Sequence, residues 1–144
     1  MWLSKKCQYA LRAVFELAVR NIGQPVKIQQ VAVAQGIPPR FLELILNQLR
    51  HAGFVESRRG SEGGYMLAQD AAEITVGKVI RCIQGPILAS TDYKGGSYKG
   101  DGAFARLWQD VNAAVEDVCD KTTFSELVES ERAARAVCPL DYAI

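Results

Sequence analysis

The sequence is poor in the residues that most often build catalytic and metal sites. It has a single histidine, His51, and its four cysteines (Cys7, Cys82, Cys119 and Cys138) are scattered singly rather than spaced as a zinc or redox motif. It also lacks a Walker-type phosphate loop, a dinucleotide-binding fingerprint and a nucleophile elbow. We therefore expect neither an enzyme nor a metal protein, and we expect no cofactor.

Long apolar runs are missing as well. No stretch approaches the roughly 18 residues that a membrane-spanning helix needs. Lys5 and Lys6 lead straight into an amphipathic pattern, without the apolar core of a signal peptide. The sequence accordingly predicts a cytoplasmic protein with no membrane partner, and this compartment disfavours structural disulfides.

The chain has the composition of one globular domain and an uneven distribution of charge. Its 144 residues are 49% hydrophobic and 23% charged, and the net charge is only +1. The first 66 residues contain nine of the 17 basic residues and four of the 16 acidic ones, so they carry +5 and the remainder carries −4. A basic amino-terminal half suits a polyanionic partner, and an uneven solvated surface is the alternative.

The order of the predicted elements is that of a winged helix-turn-helix. An amphipathic helix of about five turns follows Ser4, a short helix covers residues 28–35, and a third helix covers residues 39–52. The period then changes, and residues 54–58 and 65–68 are predicted strands joined by a glycine-rich turn. Three helices followed by a basic hairpin predict a mostly α fold with a small β-hairpin wing. The apolar positions of the third helix are Phe41, Leu42, Leu44, Ile45, Leu46 and Leu49.

This order of elements assigns contacts with double-stranded DNA to three places. The third helix presents polar side chains to the major groove, where Arg40 suits guanine and Glu43 suits the amino group of cytosine. The wing and the start of the first helix suit phosphates or the minor groove. An Arg40–Glu43 pair on a solvated face is the alternative for the helix, and Tyr65 is expected to pack beneath the wing. The predicted DNA-binding residues are Lys5, Lys6, Gln8, Tyr9, Pro39, Arg40, Glu43, Asn47, Arg50, Arg58, Arg59, Gly60, Ser61, Gly63 and Gly64.

The second half of the chain is predicted to serve dimerisation. Thr75 caps a helix over residues 76–84, and a long helix runs from about Phe104 to Asp120. A winged helix does not need this long helix for its own core, so its apolar stripe is expected to pair with a second copy. Folding back onto its own domain is the alternative. The predicted dimerisation residues are Leu107, Trp108, Val111, Val115 and Val118.

The chain is therefore divided into three parts. Residues 1–85 form the DNA-binding domain, residues 86–103 form a sensor or linker loop, and residues 104–144 form the dimerisation helix and tail. Within the last part, a capping box at Thr123 opens a short helix, and residues 132–144 are expected to be loosely held.

Five segments carry a resemblance to a known family. They are Leu3–Ala13, Arg40–Val55, Arg58–Leu67, Ile74–Ile80 and Thr122–Val128, and the wing with its glycines and tyrosine is a specific signal. In these segments, which extend over nearly its full length, the chain resembles the Rrf2 family of winged helix-turn-helix transcriptional regulators. The resemblance implies a dimer with the long helix at the subunit interface. It also implies DNA contacts from Arg59, from its neighbours in the wing and from the start of the third helix.

The chain departs from this family in the sensor loop. Cluster-binding members carry three cysteines in the loop before the dimerisation helix, whereas residues 90–103 contain none, and Gln8 stands where some members use an unusual ligand. Thiolates normally hold iron–sulfur clusters, so we expect no cluster here. A metabolite, a partner enzyme or thiol oxidation is then the signal, and Cys138 is the cysteine most expected to be exposed.

The sequence thus predicts a regulator, most simply a repressor, that binds a pseudo-palindromic operator as a homodimer. Two alternatives stay open. One is a redox- or cluster-sensing regulator, and the other is an interaction module that docks onto a partner enzyme, such as a cysteine-biosynthesis enzyme.

Overall fold

The computed structural model describes residues 2–88 and 96–137. Its helices are α1 (Lys5–Val19), α2 (Ile28–Gln35), α3 (Pro39–His51), α4 (Val76–Gln84), α5 (Asp101–Lys121) and α6 (Phe124–Val137), and its strands are β1 (Val55–Arg58) and β2 (Gly64–Leu67). Among the described residues, no helix is both long and apolar enough to cross a membrane. The six helices and one hairpin confirm the fold class predicted from the sequence.

Local signals begin and end the first three helices. The Ser4 hydroxyl accepts a hydrogen bond from the Cys7 backbone amide at 3.1 Å and so caps α1. α1 ends at Val19 after 15 residues, which is about four turns rather than the predicted five. Gly36, with a φ of +64°, ends α2 in a left-handed conformation, and Pro39 supplies the first residue of α3. The short connection between α2 and α3 completes the helix-turn-helix.

The wing is a two-stranded antiparallel hairpin with an additional backbone partner. Val55 lies opposite Leu67, and Arg58 lies opposite Gly64. On the other side of β2, the Val26 and Tyr65 backbones exchange two hydrogen bonds of 2.7 and 2.8 Å. The segment before α2 is therefore joined to the wing. Tyr65 is half-buried and packs against the core, as the sequence predicted.

Two apolar clusters hold these elements together. The larger one draws fully buried side chains from α1, α3, α4 and α6, among them Leu42, Leu46 and Phe124. The smaller one contains Cys7 of α1 and Cys119 of α5, together with Ile80 and Ile87. The second cluster therefore joins the end of α5 to α1 and α4.

The last two helices are longer than predicted. α5 begins at Asp101, because Gly100 with its φ of +96° forms the turn before it, so residues 101–103 are helical and not loop. α6 continues to Val137, and the expectation of a loose tail from Arg132 onward is wrong as far as residue 137. Ion pairs one helical turn apart support this stretch, since Arg135 lies 3.1 Å from Glu131. Residues 89–95 of the predicted loop and residues 138–144, including Cys138, lie outside the described part of the chain.

Candidate nucleic-acid interface

α3 has one buried side and one polar, exposed side. Leu42, Ile45, Leu46 and Leu49 are fully buried beneath it. The exposed side carries Pro39, Arg40, Glu43, Asn47 and Arg50, which are the residues predicted to face DNA. Leu44 is exposed among these residues. It is one of the apolar positions of the helix, but it is not a core residue.

The polar side chains on this side differ in whether they already form a hydrogen bond or an ion pair with one another. Arg50 donates a 2.6 Å hydrogen bond to the Asn47 side chain, which orients both groups along the helix. Among the ion pairs of the described residues there is none between Arg40 and Glu43. The predicted alternative, a paired Arg40–Glu43 on a solvated face, is therefore not what the structure contains. Both charges are available to a ligand.

The wing places two consecutive arginines directly before a close backbone turn. Arg58 lies 3.5 Å from Glu56, whereas Arg59 is exposed and has no ion pair in the described part of the chain. At the turn, the Gly63 amide donates to the Gly60 carbonyl at 3.0 Å. A Cβ on Gly63 would lie 2.2 Å from the Arg58 carbonyl oxygen, so only glycine fits at this close approach.

The wing is also tied to the helix-turn-helix. Gly64 has a φ of +155°, and a Cβ there would lie 2.3 Å from the Val26 carbonyl oxygen. The Lys27 ammonium group donates a hydrogen bond to the Ser61 carbonyl at the tip of the wing. Sequence reasoning missed Lys27, because its partner lies 34 residues away. The one sequence feature that could have pointed to Lys27 is that it belongs to the basic residues of the first half of the chain. These contacts hold the wing in a fixed position beside α2.

The start of α1 packs against the start of α3. The Tyr9 and Phe41 rings meet edge to face, with centroids 5.6 Å apart. The Lys5 ammonium group lies 5.3 Å from the centroid of the Tyr9 ring. The side-chain amide of Gln8 donates a hydrogen bond to the Leu3 backbone carbonyl at 3.1 Å. Tyr9 and Gln8 thus support this edge of the surface, and the charge of Lys5 lies over it.

The described cysteines lie in apolar surroundings rather than in a ligand set. Burial raises the pKa of the Cys7 thiol to about 11, and desolvation also raises the pKa of Cys82 and of Cys119. All three are free thiols. In residues 2–88 and 96–137, no group of three or more histidine, cysteine, aspartate or glutamate side chains is placed to hold a metal ion.

α5 exposes an apolar strip along most of its length. Leu107, Trp108, Val111 and Val118 are between 42% and 65% exposed, although each is large and apolar. Val115 is half-buried against the smaller apolar cluster, and Arg81 of α4 forms a two-pronged pair with Asp120, one bond of which is 2.9 Å. Within the described residues, the carboxyl-terminal end of α5 is thus packed against α4 and the smaller apolar cluster. The described residues do not fold this helix back along its length.

Comparison with known proteins agrees with this geometry. The family model Rrf2, described as an iron-dependent transcriptional regulator, matches residues 3–130. Rv1287 of Mycobacterium tuberculosis (strain H37Rv), whose name describes it as an HTH-type transcriptional regulator, is 40% identical over 130 residues, 88% of this chain and 81% of its own. The HTH-type transcriptional regulator IscR of Escherichia coli O1:K1 is 34% identical over 133 residues, 91% of this chain and 82% of its own.

Solved structures give the same result. The global cysteine regulator CymR of B. subtilis superimposes with a TM-score of 0.81 at 32% identity, covering 90% of this chain and 98% of its own. IscR of T. potens gives a TM-score of 0.77 at 30% identity, covering 94% and 91%. Rv1287 and the IscR of Escherichia coli are named as HTH-type transcriptional regulators, and CymR is named as a global cysteine regulator. The chain belongs to the Rrf2 family of DNA-binding transcriptional regulators.

Proposed function

We propose that this protein is a homodimeric repressor that works in the cytoplasm and binds a pseudo-palindromic operator. The observation that carries the proposal is the pairing of two exposed surfaces in one chain. One is the polar side of α3 beside a wing with the exposed Arg59, and the other is the apolar strip on α5. The first suits a duplex and the second suits another copy of the chain.

Dimerisation explains the apolar strip. Val111 follows Leu107 by four residues and Trp108 by three, so all three lie on one side of α5. Burying such a ridge against the same ridge of a second copy gives a two-fold interface. A two-fold dimer presents its recognition helices to successive major grooves, about 34 Å apart. The operator is then a pair of inverted half-sites.

Each half-site would be read through complementary chemistry. The Arg40 guanidinium group suits the two acceptors of guanine, and the Glu43 carboxylate suits the donor on cytosine. Lys5, Lys6 and Arg58 would neutralise phosphates, and Arg59 at the wing tip would enter the minor groove or follow its phosphates. Arg40 and Glu43 thus specify sequence, whereas the other cations fix the register of the protein on the duplex.

Iron does not fit the residues that are present. A thiolate-bound cluster needs several ionised cysteines on one site. Cys7 is fully buried with its pKa raised to about 11, so it is a protonated thiol at neutral pH. The sequence between residues 86 and 103 contains no cysteine. We therefore propose regulation without an iron–sulfur cluster. The buried thiols also argue against Cys7 or Cys119 as the site of a redox signal.

A binding titration tests this proposal. A duplex from the upstream region of the protein's own gene is titrated with the protein at low salt, against a scrambled duplex of equal length, and the solution mass is measured by light scattering. We expect selective binding by a particle of twice the chain mass. Equal affinity for both duplexes, or a monomeric mass at the concentrations that bind, would refute it.

A further inference from the structure

Leu44 is out of place on the exposed side of α3. Its side chain is 64% exposed, whereas Leu42 and Leu46 on the same helix are fully buried. It belongs to neither apolar cluster formed by the described residues. Scattered exposed leucines are common on protein surfaces, so exposure alone says little. The position of Leu44 within this surface says more.

The geometry of the helix places Leu44 at one edge of the polar side, next to Arg40. With about 100° between successive residues, Leu44 lies about 40° around the axis from Arg40 and about 60° from Asn47, in the same direction from both. All three point away from the buried side of α3. A partner that covers Arg40 is therefore also close to Leu44, which lies one helical turn further along the same side.

The chemistry of the major groove identifies that partner group. Base edges there present hydrogen-bond donors and acceptors, and the one apolar group is the C5-methyl group of thymine. We propose that Leu44 is a specificity-determining residue that packs against a thymine methyl group in each half-site. This inference rests on the proposed function, because it requires α3 to enter the major groove.

A protein partner is a weaker explanation of the same residue. The neighbours of Leu44 one turn away are Arg40, Asn47 and Gln48, which are polar, and Phe41, which packs against the core, so the exposed apolar surface around Leu44 is narrow. Protein interfaces have a broader apolar centre from which charged residues are depleted. The apolar strip of α5 fits that description, and the surface around Leu44 does not.

The test removes one methyl group at a time. A binding site is first selected from a random-sequence duplex pool, and each thymine of one half-site is then replaced singly by deoxyuridine. Affinities are measured for the wild type, for Leu44→Ala and for the control Val33→Ala, which truncates another exposed aliphatic side chain, on α2. Thermal melting establishes that the variants are folded, as expected for exposed positions.

We expect one thymine at which deoxyuridine weakens wild-type binding about threefold to fivefold, the value of one buried methyl group. Val33→Ala should keep that sensitivity, and Leu44→Ala should lose it. If the wild type binds the selected site but no uridine substitution has an effect that depends on Leu44, the inference is overturned and the proposed function stands. If the wild type selects no duplex at all, both fail. If a folded Leu44→Ala loses a protein partner while its uridine profile is unchanged, Leu44 contacts protein and the inference is again overturned.

Discussion

Replacing Arg59 by alanine isolates the electrostatic contribution of the wing. Arg59 is exposed at the wing tip and has no ion pair within the described residues, so its charge is available to DNA. A dimer contains two such wings and therefore loses two cationic contacts. Each lost contact lowers the slope of log affinity against log salt by about 0.9, so the slope should fall by about 1.8. Over a fourfold rise in salt, the wild type should lose about 12-fold more affinity than the variant.

Fluorescence anisotropy at four salt concentrations measures this slope. Arg135→Ala is the matched control, because it removes an exposed arginine that is paired with Glu131 on α6, away from the wing. Its slope should equal that of the wild type, and both variants should retain the dimer mass. Equal slopes for Arg59→Ala and the wild type would refute the placement of the wing on DNA.

Three further predictions concern the wing, the dimer and the attachment of α5. Gly64→Ala should abolish specific binding while the helices stay folded by circular dichroism, because its Cβ would meet the Val26 carbonyl oxygen at 2.3 Å. Trp108→Asp should give a monomer by light scattering, with DNA affinity lowered at least tenfold; a stable dimer would exclude the apolar strip as the interface. Asp120→Asn should cost at most about 1 kcal/mol of unfolding free energy at pH 7, since the Arg81–Asp120 pair is largely exposed. Arg81 lowers the pKa of Asp120, so this deficit should shrink below about pH 4 and vanish as the pH falls through the lowered pKa, as urea titrations at several pH values would show.

The elements predicted correctly are those whose signals are local. Ser4 caps α1 and Thr75 caps α4, each through a side-chain oxygen that accepts from the amide three residues later. Pro39 begins α3 because its fixed φ suits a first turn. The change from helical to alternating period revealed the hairpin. In each case the deciding interaction lies within a few residues, so the sequence alone contains the information.

The features that were missed depend on contacts between distant residues. Lys27 bonds to Ser61, which lies 34 residues later in the sequence, and no sequence feature near Lys27 indicates a partner in the wing. Leu44 could not be separated from the core leucines, because α3 is apolar at six of its positions and periodicity alone does not choose which side is covered. The end of α6 was not predicted from the sequence for a different reason. Its residues 131–136 are all exposed, so no apolar pattern marked them.

In the proposed dimer, α1 is the element that connects α5 to α3. Near its start, Cys7 packs in the smaller cluster with Cys119 at the end of α5, and two residues later Tyr9 packs on Phe41 of α3. The end of α5 thus shares an apolar cluster with the first turns of α1, and the same turns of α1 contact α3. Because packed cores transmit small displacements, a shift of α5 in the proposed dimer would be passed to α3. In the proposed function, the spacing of the two half-sites would therefore depend on the packing of the smaller cluster as well as on the contacts between the two copies of α5.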